Sequence, residues 1–172
     1  DPIGSRGLGD VYKRQGYSIV LRAPGKNLDP SEPTNWRASV APGGTPGSSD
    51  GTLLAGNPSD DLDGDGLTAL LEYALGTSDN DATQSGSASA SRILIDGIFY
   101  DSFTYTVKEV ADDVRTSVET TTDLQNWIND PADFVELVVT SNGDGTVTRI
   151  VRLATPAGVD SKRFFRVKVE LR

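Results

Sequence analysis

The chain has 172 residues, 36% hydrophobic and 24% charged, with 25 acidic against 16 basic side chains and a net charge of −9. It contains no Cys, His or Met, which removes disulfides, thiolate and imidazole metal ligands, a Cys nucleophile and any Ser-His-Asp triad. The length suits one ordinary domain or two small ones, and the acidity argues against nucleic acid or anionic membrane as partners.

In chain order, Asp1–Gln15 shows neither helical nor strand periodicity, and its Gly7-Leu8-Gly9-Asp10-Val11-Tyr12-Lys13-Arg14-Gln15 string resembles translated read-through of a sequencing adapter. Residues 1–15 are therefore set aside as a non-native segment. With Asp1 first and no Met, the chain is expected to be a fragment or a processed product. No stretch approaches the ~20 apolar residues of a membrane span, so no membrane insertion is expected. Gly16–Leu21 alternates as a short strand. Residues 22–51 are rich in Pro, Gly, Ser and Asn and read as irregular, with Trp36 folding back on a hydrophobic face. Residues 48–60 form a polar linker, 61–82 an acidic loop followed by a helix, and 83–91, which include Gln84–Ser91, a low-complexity flexible linker.

From 92 to 172 the pattern is all β. Phe103, Tyr105 and Val107 alternate with polar residues, and 115–121 is rich in Thr, Ser and Val. Val135, Leu137 and Val139 read as one face before the turn Asn142-Gly143-Asp144-Gly145, with Val147, Val151 and Leu153 beyond it as a hairpin. Phe165, Val167, Val169 and Leu171 close the series. Short strands with turns between them predict a mainly β fold, a small antiparallel β-sandwich of immunoglobulin or fibronectin III type, preceded by one loop, a short helix and a largely irregular N-terminal segment. Trp127 is expected to plug the open end of that core. Asp112, Asp113, Glu119 and Asp123 read as solvated surface carboxylates.

The loop Asp61-Leu62-Asp63-Gly64-Asp65-Gly66-Leu67-Thr68-Ala69-Leu70-Leu71-Glu72 fits D-x-D-x-D-G-x5-E at every specified place. Calcium takes six to eight oxygens at ~2.3–2.6 Å. Alternate side chains of a tight loop converge on one point, which makes Asp61, Asp63 and Asp65 candidate ligands. Gly66 permits the reversal, Leu67 offers a backbone carbonyl, and Glu72, one helical turn on, closes the shell. Ala69, at the ninth position, carries no ligand oxygen. Left without a cation, like charges ~5 Å apart repel by about 1 kcal/mol per pair even in water. Leu67, Leu70, Leu71, Ala74 and Leu75 form an apolar stripe, with Gly76 as the stop. No amphipathic helix precedes Asp61, so a full helix-loop-helix is not expected. Asp79 and Asp81 follow the helix, and roles for them in a second ion site are left open.

Three resemblances accompany this reading. Gly16-Tyr17-Ser18, Asn35-Trp36-Arg37 and Gly43-Gly44-Thr45-Pro46-Gly47 make residues 16–47 similar to the C-terminal end of a lamin-tail domain of bacterial secreted proteins, which implies a last β-strand orphaned from its sheet. The acidic loop with its single helix resembles a dockerin half or a thrombospondin type 3 repeat, which implies an EF-hand-like calcium site. The block from Asp61, with Glu72-Tyr73-Ala74-Leu75-Gly76-Thr77, Thr122-Asp123-Leu124 with Trp127, Asn142-Gly143-Asp144-Gly145-Thr146 and Arg163-Phe164-Phe165-Arg166, resembles C-terminal modules of large secreted or surface proteins of environmental bacteria.

The combined expectation is a non-catalytic, calcium-stabilised module of an extracellular or cell-surface bacterial protein, in a spacer, attachment or interaction role. Its partners would be a calcium ion and a cell-surface polymer, glycan or protein. The alternative is a carbohydrate-binding accessory module of a larger extracellular hydrolase, with exposed Phe164 and Tyr100 stacking on sugar. Gly47-Ser48-Ser49-Asp50-Gly51 spells a nucleophile elbow, but no strand or helix flanks it and the chain has no His.

Overall fold

A computed structural model of the chain describes residues 16–158 and 162–172. Among the described residues the fold is mainly β, built from antiparallel sheets, one of four strands and two of two, with a single short α-helix. The expectation for 1–15 lies outside the described residues. The chain divides into two compact units. The first comprises the described residues up to Leu54 together with Val110–Asp113 and Arg172, and the second comprises Ala55–Glu109 and Val114–Leu171. Among the described residues, no helix is long and apolar enough to cross a membrane.

The first unit is built on strands β1 (Tyr17–Leu21) and β2 (Trp36–Pro42), paired antiparallel with Val20 opposite Arg37 and Leu21 opposite Trp36. The strand expected to be an orphan thus has a partner, and it lies inside the segment expected to be irregular. Hydrophobic periodicity hides β2 because its buried face carries Arg37 and Ser39, while Val40 is exposed. Trp36 is half-buried, and its ring N–H donates to the Pro30 carbonyl at 2.8 Å.

Charge fills the place of an apolar core in this unit. Arg37 donates through Nε and Nη2 to the two oxygens of Asp112, at 2.7 and 2.5 Å, and through Nη1 to Asp50 at 2.5 Å. Arg22 adds a second cation on Asp112 at 3.2 Å. Asp50 also accepts from the Val40 N–H and the Thr45 hydroxyl. Gly51 passes so close that a Cβ there would collide with the Asp112 carboxylate. The nucleophile-elbow spelling is accordingly a turn that delivers Asp50 to Arg37.

The second unit holds the remaining elements: helix α1 (Ala69–Leu75) and strands β3 (Ala88–Ile95), β4 (Ile98–Lys108), β5 (Val114–Thr121), β6 (Phe134–Ser141), β7 (Thr146–Leu153) and β8 (Phe164–Leu171). They form a four-stranded sheet in the order β3-β4-β7-β6 and a two-stranded sheet β5-β8. Phe103, Tyr105 and Val107 of β4, Val147 and Val151 of β7 and Val118 of β5 are buried together. Phe165 and Val167 of β8 pack against them, and the Phe103 and Phe165 rings stack at 5.4 Å. Burial of each such side chain is worth about 1.5–3 kcal/mol.

Several local expectations need correction. β3 reaches back to Ala88, so half of the expected flexible linker is an edge strand, with Ala88 opposite Tyr105 and Ser91 opposite Ser102. Small exposed side chains give no period-2 signal, and the strand is held by backbone pairing to β4. In β6 the register slips between Glu136 and Val138. The bulge lets Phe134 and Val139, five residues apart, both face the core, while Leu137 is exposed. Val135, Leu137 and Val139 are therefore not one face.

Trp127 does not plug the core. It is half-buried, with the Arg166 guanidinium 3.9 Å from its ring centre. Three of the four carboxylates read as solvated are buried. Asp112 is held by Arg37 and Arg22, Asp113 accepts from the Leu54 N–H, and Glu119 pairs with Arg166 and Lys168. Only Asp123 is exposed, accepting from the N–H groups of Gln125 and Asn126. These bonds hold its carboxyl far below the ordinary aspartate range.

Candidate metal centre

The acidic loop lies in the second unit, directly before α1. Asp61 accepts the N–H of Gly64 at 2.8 Å through one oxygen and that of Gly66 at 3.1 Å through the other. Asp63 accepts from Asp65 N–H at 3.2 Å, and Asp65 from Leu67 N–H at 2.7 Å. Each aspartate thereby folds the backbone around its own carboxylate, as Asx turns do. Gly66 adopts φ +93°, a conformation that a Cβ would strain. One carboxylate oxygen from each of Asp61, Asp63 and Asp65 lies within 4.8 Å of the other two, a grouping able to hold a metal ion.

The helix places the fourth carboxylate. Thr68 caps α1 by accepting from Leu71 N–H, and the Ala69 N–H is tied back to the Asp60 carbonyl at 2.7 Å. Gly76 ends the helix at φ +81°, its N–H donating to the Glu72 carbonyl. The apolar stripe is only partly as expected. Ala69 and Ala74 are buried, the leucines are half-buried, and Glu72 is as fully enclosed as Ala74, with no accessible surface.

Neither Glu72 carboxylate oxygen has a hydrogen-bond partner, and Asp63 Oδ2 is likewise buried and unpartnered. Burial raises the Glu72 carboxyl above the ordinary range; Thr77 acts in the opposite sense, and Asp63, Asp65 and Asp79 add to the rise. Among the described residues, no lysine or arginine is ion-paired with Asp61, Asp63, Asp65 or Glu72.

The fit to a metal can be judged from these atoms. A buried carboxylate without donor or counter-charge costs several kcal/mol. The donors are oxygens alone, the set preferred by hard divalent cations. Leu67 stands two residues after Asp65, and the Ala69 side chain is buried with no polar atom to offer. Sequence reasoning brought Asp61, Asp63, Asp65 and Glu72 to one place but left Asp79 open. The structure ties Asp79 to the loop, its Oδ1 accepting the Leu62 N–H at 3.0 Å. Asp81 instead caps its own turn, accepting from Thr83 and Gln84.

No protein-family model matches the chain, and comparison with curated proteins and with solved structures finds no significant match.

Proposed function

We propose that Asp61, Asp63, Asp65, the Leu67 carbonyl and Glu72 bind one calcium ion, and that the chain is a non-catalytic, calcium-stabilised module. The observation that carries this reading is Glu72, fully buried beside the aspartate triad with both carboxylate oxygens unpartnered. A cation removes the repulsion among these carboxylates and the cost of desolvating Glu72. The triad and Glu72 supply side-chain oxygens from two segments, and water completes the shell. The ion's role is structural: it fixes the loop onto α1, and α1 contributes Leu75 to the sheet core.

A lone loop of this kind suits calcium at extracellular concentration, with Kd of about 10⁻⁴–10⁻³ M. The calcium loop and the resemblances to lamin-tail, dockerin and thrombospondin type 3 segments support an extracellular or cell-surface setting in bacteria, with a spacer, attachment or interaction role. The test is thermal unfolding of the whole chain in EDTA and in millimolar calcium, beside Asp65→Asn. Calcium is expected to raise the melting temperature of the wild type and leave Asp65→Asn unchanged. Identical wild-type melts in the two buffers, with no calorimetric heat on calcium addition, overturn the reading.

A further inference from the structure

Asp79 lies beyond the twelve-residue loop, on the far side of α1, yet its backbone segment returns to the loop. Its Oδ1 accepts the N–H of Leu62, between Asp61 and Asp63, at 3.0 Å. Asp79 is also one of the carboxylates that push the Glu72 carboxyl above its ordinary range. Among the described residues no lysine or arginine is ion-paired with Asp79. An acidic cluster alone would not identify a ligand. Here the buried Glu72, with both oxygens unpartnered, marks where positive charge is required, and Asp79 is bonded to the loop that carries the other carboxylates.

We infer that Asp79 is a further ligand of the cation, supplying from outside the loop an oxygen that the loop lacks at Ala69. This rests on the calcium reading above and deepens it. Asp79 Oδ1 holds Leu62, which leaves Oδ2 for the ion. The cation then ties together the loop, the helix through Glu72, and the segment after the helix. With Asp61, Asp63, Asp65, Glu72 and Asp79, five carboxylates surround one ion, so calcium leaves excess negative charge and a trivalent lanthanide binds more tightly. Asp81 is not assigned this role because its side-chain bonds stay within its own turn, to Thr83 and Gln84.

The test is calorimetric titration of the whole chain with calcium chloride, for wild type, Asp65→Asn, Asp79→Asn and Asp81→Asn. Asp79→Asn keeps Oδ1 as acceptor for Leu62 but puts an amide donor in place of Oδ2. A purely structural role for Asp79 is therefore rescued by asparagine, whereas a ligand role is not. The Kd is expected to rise roughly tenfold in Asp79→Asn, since the charge count of the ligands sets affinity in such loops, and to stay within about twofold of wild type in Asp81→Asn. Terbium luminescence lifetimes in H₂O and D₂O are expected to report one additional bound water in Asp79→Asn. Wild-type affinity and an unchanged water count in Asp79→Asn overturn the inference while leaving the calcium reading intact, provided Asp65→Asn has lost binding. Absence of calcium heat in the wild type overturns both. Should Asp79→Asn fail to fold in excess calcium by circular dichroism, Asp79→Ser, which retains a hydroxyl acceptor, carries the same comparison.

Discussion

In the first unit, Asp50 and Asp112 are enclosed around Arg37, which donates to both, with Arg22 as a second cation. In the second unit, Glu72 is enclosed beside Asp63 and Asp65 with no side-chain cation ion-paired to any of them among the described residues. The first cluster carries its own positive charge; the second concentrates negative charge and supplies only oxygens. Since a buried, uncompensated carboxylate is costly, the difference teaches where an external cation belongs. Elsewhere buried carboxylates meet a guanidinium or an N–H donor, as Glu119 with Arg166 and Asp113 with the Leu54 N–H show. The acidic loop departs from that habit.

The largest expected effect comes from making the first cluster resemble the second. Arg37→Met removes the guanidinium, leaving half-buried Asp50 without its cation and buried Asp112 with Arg22 alone, which destabilises the first unit by about 3–5 kcal/mol. Trp36 reports this unit and Trp127 the other. Urea unfolding followed by fluorescence in a Trp127→Phe background is expected to show the loss, and an unchanged midpoint would break the contrast between the clusters. A smaller effect comes from completing the second cluster. Calcium at a hundredfold excess over Kd stabilises by about 2.7 kcal/mol, read through Trp127 in a Trp36→Phe background. Glu72→Gln removes the buried charge, so in EDTA it is expected to melt above the wild type while losing most of the calcium gain. Lower stability in EDTA would mean that the carboxylate is already neutralised by something else.

The two clusters were not equally legible in the sequence. The acidic loop is local: its spacing sets Asp61, Asp63 and Asp65 on one turn of backbone, and Glu72 one helical turn on, so a short-range motif suffices. The Arg37 cluster joins residues 75 apart in sequence, and nothing near Arg37 signals Asp112. β2 was hidden for the same reason, since a strand that buries Arg37 and Ser39 inverts the usual apolar alternation. The strands of the second unit were readable wherever apolar residues alternate, as in Phe103, Tyr105 and Val107. They failed where a bulge shifts the period at Leu137 or where Ala and Ser carry an edge strand. Asp79 escaped because its link to Leu62 spans the helix and depends on how Gly76 turns the chain.

That turn supplies a third test. Gly76 has φ +81°, and a Cβ there would meet the Thr146 methyl group. Gly76→Ala is expected to cost the second unit about 1–2 kcal/mol through the left-handed backbone and to weaken calcium binding by redirecting the segment that carries Asp79. An alanine variant with wild-type calcium affinity would separate the helix stop from the ion site.

The smallest effect concerns acid, and it sharpens the contrast from the side of the first unit. Burial raises the Asp50 carboxyl, but hydrogen bonds from Arg37, Thr45 and Val40 outweigh it and leave the group below the ordinary value of 3.8. A carboxyl lowered on folding contributes stability that is fully present above its unfolded value and is lost as pH falls through its folded value. The first unit, followed by Trp36 fluorescence, is therefore expected to hold its stability down to about pH 4 and to lose part of it below. Asp50→Asn should flatten that acid limb because the titrating group is gone, while its amide oxygen still accepts from Arg37. An acid limb of unchanged steepness in Asp50→Asn would place the titration elsewhere in the unit and leave Arg37 neutralising Asp112 alone.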